Sequence, residues 1–359
     1  MASPSLFQPT KVGRMSLAHR VVLAPMTRLR SNPETLVPLP VVKDFYTQRA
    51  SVPGTLLITE GTSVHKKACG YPAGPGIYTD EQIAAWKEIV DAVHAKGSYI
   101  YMQILGFGRK ANPACVPNGD VVAASAIPSS VGGVTPRALT VGEIEEYVDW
   151  YETAARNAVH KAGFDGVEIH CANGYLLDGF LQDTSNTRTD EYGGTIAKRA
   201  RFVLSVVDRV SQSIGADRVG FRLSPWTHVD GSGMDDPIPT YAFVVKEIAA
   251  RYSNLAYLHD IEPRAQLSDD VEPAPHESND FLRTIWNGRP FIAAGGYVRE
   301  NGIETADRFG GLIAYGRWYT SNPDLPKRLE RNLPLRKYDR STFYLPGEVS
   351  PRGYVDFEE

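Results

Sequence analysis

The sequence predicts an α/β fold, a (β/α)8 TIM barrel, on three observations. Short apolar or β-branched runs alternate with longer segments of helical period along the 359 residues. About eight such runs occur, the number that closes a parallel barrel. No linker, low-complexity block or fixed-period repeat interrupts them, so residues 1–359 read as a single domain, and 42% hydrophobic residues suffice for a large core.

Taken in order, the strand candidates are VVLAPM from Val21, TLLITE from Thr55, SYIYMQIL from Ser98, GVEIHCA from Gly166, VGFRLS from Val219, LAYLHDIE from Leu255, PFIAAGG from Pro290 and LIAYGR from Leu312. Ahead of them, LFQPTKVGRMSLAHR (6–20) reads as an N-terminal hairpin closing the end of the barrel opposite the site. Between strands two and three, Ile83, Trp86, Ile89, Val90 and Val93 share one helical face, and Thr79 with Gln82 forms a capping box. Thr140 and Glu143 repeat that signal ahead of Ile144, Tyr147, Val148, Tyr151, Ala155, Ala158 and Val159, a helix ending near Gly163. Two long loops leave the C-terminal ends of strands: residues 108–138 after strand three, and 263–280 after strand six, which could form a lid. Barrels of this kind place their active sites at that end.

Composition excludes several classes of partner. Lys and Arg total 38 against 42 for Asp and Glu, so a net charge of -4 offers no attraction to nucleic acid or an anionic membrane. No window is apolar enough to span a bilayer, and the first residues lack the apolar core of a secretion signal. The expectation is a cytoplasmic protein, monomer or homodimer, acting on a small molecule. Cys69, Cys115 and Cys171 are far apart and odd in number, which argues against disulfides, and no cluster has metal-ligand spacing. No G-x-G-x-x-G turn supplies a separate dinucleotide site.

Placing the polar residues on the predicted strands collects them at one end. Thr27 follows strand one, Gly61 follows strand two, Gln103 lies near the end of strand three, His170 ends strand four and Arg222 sits in strand five. Gly295 and Gly296 end strand seven, and Gly316 and Arg317 end strand eight. Backbone approaches a phosphate closely only where side chains are missing, so the glycines with Arg317 read as a phosphate site; the alternative is a tight turn beside a surface arginine. The stretch EIHCANGYLLDGF places His170, Asn173 and Tyr175 within six positions. Singly they read as a structural hydrogen bonder, a turn residue and a packing aromatic; together at one strand end they read as a site. Cys171 must point away from His170 by strand alternation and reads as core.

These residues carry a resemblance. APMTRLRS at 24, TEGTSV at 59, HCANGYLLDGFLQDTSNTRTDEYGG at 170, FRLSP at 221, HDIEPR at 259, AAGGY at 293 and YGRWYTSNPDLPKRL at 315 occur in the order found in the old yellow enzyme family of FMN-dependent ene-reductases. The chain resembles its fungal members, which include enzymes of secondary metabolism. The resemblance implies FMN across the barrel mouth, with Pro25, Met26, Thr27 and Gly61 against the isoalloxazine and Thr27 bonded to its C4 carbonyl. Gln103 would bond the pyrimidine edge, Arg222 would lie near N1 and the C2 carbonyl, and Gly295, Gly296, Gly316 and Arg317 would hold the phosphate. His170 and Asn173 would grip the carbonyl or nitro oxygen of an activated alkene, and Tyr175 would donate a proton to the α-carbon, giving net trans addition. NADPH would use the same pocket first, in a ping-pong cycle.

Two departures bear on the substrate pocket. Leu105 stands where many relatives carry an aromatic in Q-L-W, and near the C-terminus Phe357 is the last candidate for an aromatic wall. Two other readings stay open: a flavin-dependent isomerase or desaturase, disfavoured by Tyr175, and a non-catalytic ligand-binding barrel.

Overall fold

The computed structural model describes residues 3–130, 133–266 and 269–358; residues 1–2, 359, and two positions within each of the long loops (131–132 and 267–268) lie outside the described residues. The barrel strands are β1 Val21–Leu23, β2 Leu56–Ile58, β3 Tyr99–Leu105, β4 Gly166–Cys171, β5 Val219–Leu223, β6 Tyr257–Ile261, β7 Phe291–Ala294 and β8 Leu312–Tyr315. Each pairs in parallel with its neighbours in sequence, and β8 pairs with β1, so the sheet closes into the expected barrel. After each strand comes a helix: α1 Pro40–Arg49, α2 Asp80–Ala95, α3 Val141–Arg156, α4 Ile196–Ile214, α5 Ile238–Arg251, α6 Asp280–Trp286, α7 Arg299–Phe309 and α8 Leu325–Arg331.

Strand alternation sorts the side chains into two cores. Val21, Leu23, Ile100, Ile104, Ile169, Cys171, Phe221 and Leu223 point outward and pack with the helices, which confirms the reading of Cys171. Val22, Leu56, Ile58, Tyr101, Tyr257, Ile292 and Leu312 point inward. The Tyr101 and Tyr257 rings, with centroids 5.4 Å apart, fill the barrel's middle. Gly166 and Gly220 make room for them, since a Cβ at either position would come within 2.4 Å of the Tyr101 or 2.2 Å of the Tyr257 ring.

The hairpin Thr10–Val12 with Met15–Leu17 closes the N-terminal end of the strands, as expected, by inserting Val12, Met15 and Leu17 into the inner core. Both capping boxes are present, on α2 through Thr79 and Gln82 and on α3 through Thr140 and Glu143. A π-helical turn, Asn157–Ala162, continues α3 to Gly163, whose φ of 87° ends it. The first long loop holds three single 3-10 turns and pairs Val122–Ala123 with Arg137–Ala138. In the second, Ala265–Gln266 pairs with Asp269–Asp270 beside Gly295 and Gly296. No described helix is long and apolar enough to cross a membrane.

Candidate active site

The C-terminal strand ends open into a cavity of about 570 Å³. It brings together Pro25, Met26, Thr27, Gly61, Gln103, Leu105, His170, Asn173, Tyr175, Arg222, Gly295, Gly296, Gly316 and Arg317. Strand parity explains the convergence: Arg222 on β5 stands level with His170 on β4 and His259 on β6, so all three side chains enter the same layer of the barrel.

One side of this layer is rich in donors. Arg222 is buried, its Nε without a partner among the described residues. The Nδ1 of His170 is in the same state. Burial, then the adjacent Arg222 charge, depress the His170 pKa to about 3, so the imidazole is neutral and offers one N–H and one acceptor. On the opposite side Gly295 and Gly296 take φ values of 116° and 61°, a backbone open to glycine, and a Cβ on Gly316 would lie 2.5 Å from the Met26 sulfur. Arg317 meets Asp270 at 2.5 Å across this cradle, so its guanidinium already has one carboxylate partner in addition to any anion it would hold.

The segment after β4 is held by its backbone. Asn173 adopts a left-handed φ of 57°, tolerated by Asn, and donates its N–H to Ser224 Oγ at 2.7 Å while its carbonyl accepts from Lys110 Nζ at 2.9 Å. Lys110 is itself ion-paired with Asp230. Gly174 N–H donates to Asp178 Oδ2 at 2.7 Å. The side chains of Asn173 and Tyr175 therefore reach the cavity from a fixed main chain. Tyr175 shares a hydrogen bond of 2.9 Å with Tyr71, its ring meets Phe107 edge-on at 5.4 Å, and burial raises its pKa well above the ordinary phenol value.

Phe357 does not form the expected wall. Its ring lies 5.5 Å from the Arg336 guanidinium, and it is not among the cavity-lining residues, whereas Phe343 and Tyr344 are. Buried arginines decide this route. Arg28 donates to the carbonyls of Thr342, Phe343 and Gly353, and Arg30 to those of Glu348, Ser350 and Arg352, so residues 342–353 are strapped over the barrel and the chain beyond leads away. Leu105 packs on Gly61: a Cβ there would lie 2.5 Å from its Cδ2. An aromatic is supplied two residues later by Phe107, which contacts the Tyr71 ring at 4.8 Å.

The residues fit FMN. The cavity lies within the range of roughly 300–1,000 Å³ usual for cofactor sites, carries an unpartnered buried guanidinium, and ends in a side-chain-free cradle. A profile of the NADH:flavin oxidoreductase / NADH oxidase family matches residues 5–336. The chain belongs to this, the old yellow enzyme family. It is 49% identical over 359 residues to the chanoclavine-I aldehyde reductase fgaOx3 of Penicillium roqueforti (98% of this chain, 95% of the relative). It is 46% identical over 368 residues to a protein of Epichloe festucae var. lolii named a probable inactive reductase, easA (99% and 96%). The crystal structure of Old Yellow Enzyme from Pichia sp. AKU4542 superposes with a TM-score of 0.88 at 40% identity, covering 99% of this chain and 94% of that one. As an old yellow enzyme the protein is a flavin oxidoreductase that uses FMN with a reduced nicotinamide dinucleotide as electron donor.

Several functional neighbours escape a linear reading: Tyr71, Phe107, Lys110, Tyr344 and Asp178. Only Phe107 carries a signal, as an aromatic just past β3. Asp178, on the short helix Leu176–Leu181, is fully buried and accepts from Tyr241 Oη at 2.6 Å and Gln182 Nε2 at 2.9 Å besides Gly174. Burial raises its pKa from 3.8 to about 6. The folded carboxyl thus holds its proton more tightly than the unfolded one, so stability falls as pH rises from about 4 through about 6 and the cost persists above. Asp178→Asn removes that titration. Its unfolding free energy relative to the parent should shift in its favour by about 2.5 kcal/mol between about pH 4 and pH 7.5. Denaturant titrations at the two pH values measure this, and an unchanged difference refutes it.

Proposed function

We propose that this old yellow enzyme is an NADPH-dependent ene-reductase acting on an α,β-unsaturated carbonyl or nitro compound. The observation that carries the reading is the arrival of His170, Asn173 and the Tyr175 phenol in one cavity beside Arg222. Thr27, Gln103 and Arg222 would hold the flavin ring, with Pro25, Met26 and Gly61 against it, and Gly295, Gly296, Gly316 and Arg317 would hold its phosphate. Bound and reduced, FMN supplies the hydride for the β-carbon. His170 and Asn173 donate to the substrate oxygen, and their N–H groups stabilise the negative charge that develops there. Neutral His170 does so without surrendering a proton. Tyr175 keeps its proton at working pH and delivers it to the α-carbon, a far stronger base than a phenolate. Phe107, Tyr71 and Tyr344 shape the space over the ring, with Leu105 widening it relative to a bulky aromatic. NADPH and the alkene occupy this cavity in turn.

The relative named for chanoclavine-I aldehyde supports an aldehyde as the gripped group and a fungal biosynthetic intermediate as substrate. The relative named as inactive is the counterweight, but here the complete set of donors lines the cavity.

One cuvette tests the proposal. Purified protein should show a flavin band that bleaches anaerobically with NADPH and returns with 2-cyclohexenone. Return only with oxygen would remove simple enones and favour an isomerase or desaturase; a colourless protein that FMN does not reconstitute would sink the reading.

A further inference from the structure

Beneath the cavity floor lies a charged group that the reaction above leaves unused. Glu168, two residues before His170 on β4 and fully buried, places one donor on each carboxylate oxygen: Gln103 Nε2 on Oε1 at 2.8 Å and His259 Nδ1 on Oε2 at 2.7 Å. Arg222 stands one layer above, level with His170 and His259. Burial pushes the Glu168 carboxyl up, but His259, Arg222 and the hydrogen bonds outweigh it and hold the group down at about 2, so it is anionic.

An ionised carboxylate only accepts hydrogen bonds. Gln103 must therefore turn its amide nitrogen down toward Glu168, which directs its carbonyl oxygen the other way, to 3.3 Å from where a Cβ on Gly61 would sit. A glutamine amide has two nearly isosteric orientations, and here the choice is made by the protein before any ligand arrives. The same carboxylate is a buried negative charge acting on Arg222, whose guanidinium is also faced by the buried Asp260.

We propose that Glu168 is a positioning residue for the flavin: it locks the Gln103 amide with its acceptor oxygen toward the cofactor and tempers the Arg222 charge, so that it sets FMN affinity and midpoint potential together. The inference rests on the reading of Gln103 and Arg222 as flavin-binding residues.

Glu168→Gln removes the charge and frees the Gln103 amide to turn; Glu168→Asp keeps the charge but withdraws the carboxylate by one methylene. FMN affinity is read by fluorescence titration of the apoprotein, and midpoint potential by equilibration with a redox dye. Glu168→Gln should bind FMN about tenfold more weakly. Its potential should rise by about 30 mV, a tenfold change for a two-electron couple, because an anionic reduced flavin gains from the less balanced Arg222. Glu168→Asp should lose affinity and keep the potential. In a Gln103→Ala background, Glu168→Gln should cost no further affinity, since the two act as one unit. Additive losses, or an unchanged affinity and potential, overturn the proposal; if Glu168→Gln does not fold, Glu168→Asp with undiminished FMN affinity does so alone. Parent protein that takes up no FMN would instead defeat the flavin-site reading.

Discussion

Tyr175→Phe should slow the reoxidation of NADPH-reduced protein by an enone by a factor of about 10² to 10⁴, the usual contribution of a positioned general acid, and leave the reduction by NADPH unchanged. The asymmetry follows from the surroundings. The Tyr175 ring is held by Phe107 edge-on, by the His170 ring at 5.3 Å and by Lys110 Nζ 5.0 Å over its face, and phenylalanine keeps all of these. Only the hydroxyl and its bond to Tyr71 are lost. Tyr71 is half-buried at the cavity wall, and loss of this one hydrogen bond should lower stability by about 1 kcal/mol. Stopped-flow measurement of the two half-reactions separates the steps. An equal fall in both would remove Tyr175 from the role of selective proton donor.

His170→Ala should lower enone turnover by about 10² to 10³, the cost of deleting one donor to a developing oxyanion, and weaken binding of phenolic ligands while FMN stays bound. His170→Asn, which retains an N–H donor, should recover part of the loss. Loss of FMN from the alanine variant would show that His170 holds the cofactor instead of the substrate. Because His170 titrates near 3 and Tyr175 well above the phenol range, neither changes charge between about pH 5 and 9, and reoxidation by the enone should be level across that window. An inflection near 6 would report Asp178, through its hold on Gly174, and should vanish in Asp178→Asn.

The barrel and most residues of the candidate site were legible in the sequence because both depend on local periodicity. Eight apolar runs located the strands, their positions along those strands collected His170, Gln103 and Arg222 toward one end, and alternation of period two set Cys171 apart from His170. Closure then required their ends to converge. Phe357 shows where this reasoning stops. Its distance from the site depends on where the C-terminal segment crosses the barrel, and that path is set by Arg28 and Arg30 binding carbonyls more than 300 residues away. Nothing in the order of residues near 357 encodes those partners.

The sequence by itself determined the strand count, the capped helices α2 and α3 and which polar residues stand at the strand ends, since each follows from propensity and periodicity over a few residues. Tertiary structure alone decided that Tyr71 meets Tyr175, that Phe107 with Phe343 and Tyr344 lines the cavity, that Asp178 clamps Gly174, and that Glu168 dictates the orientation of Gln103. Apart from the Asp178 clamp, which spans four residues, those contacts join segments tens to hundreds of residues apart. They arise from side-chain packing and hydrogen-bond satisfaction in the closed barrel, which no local pattern specifies.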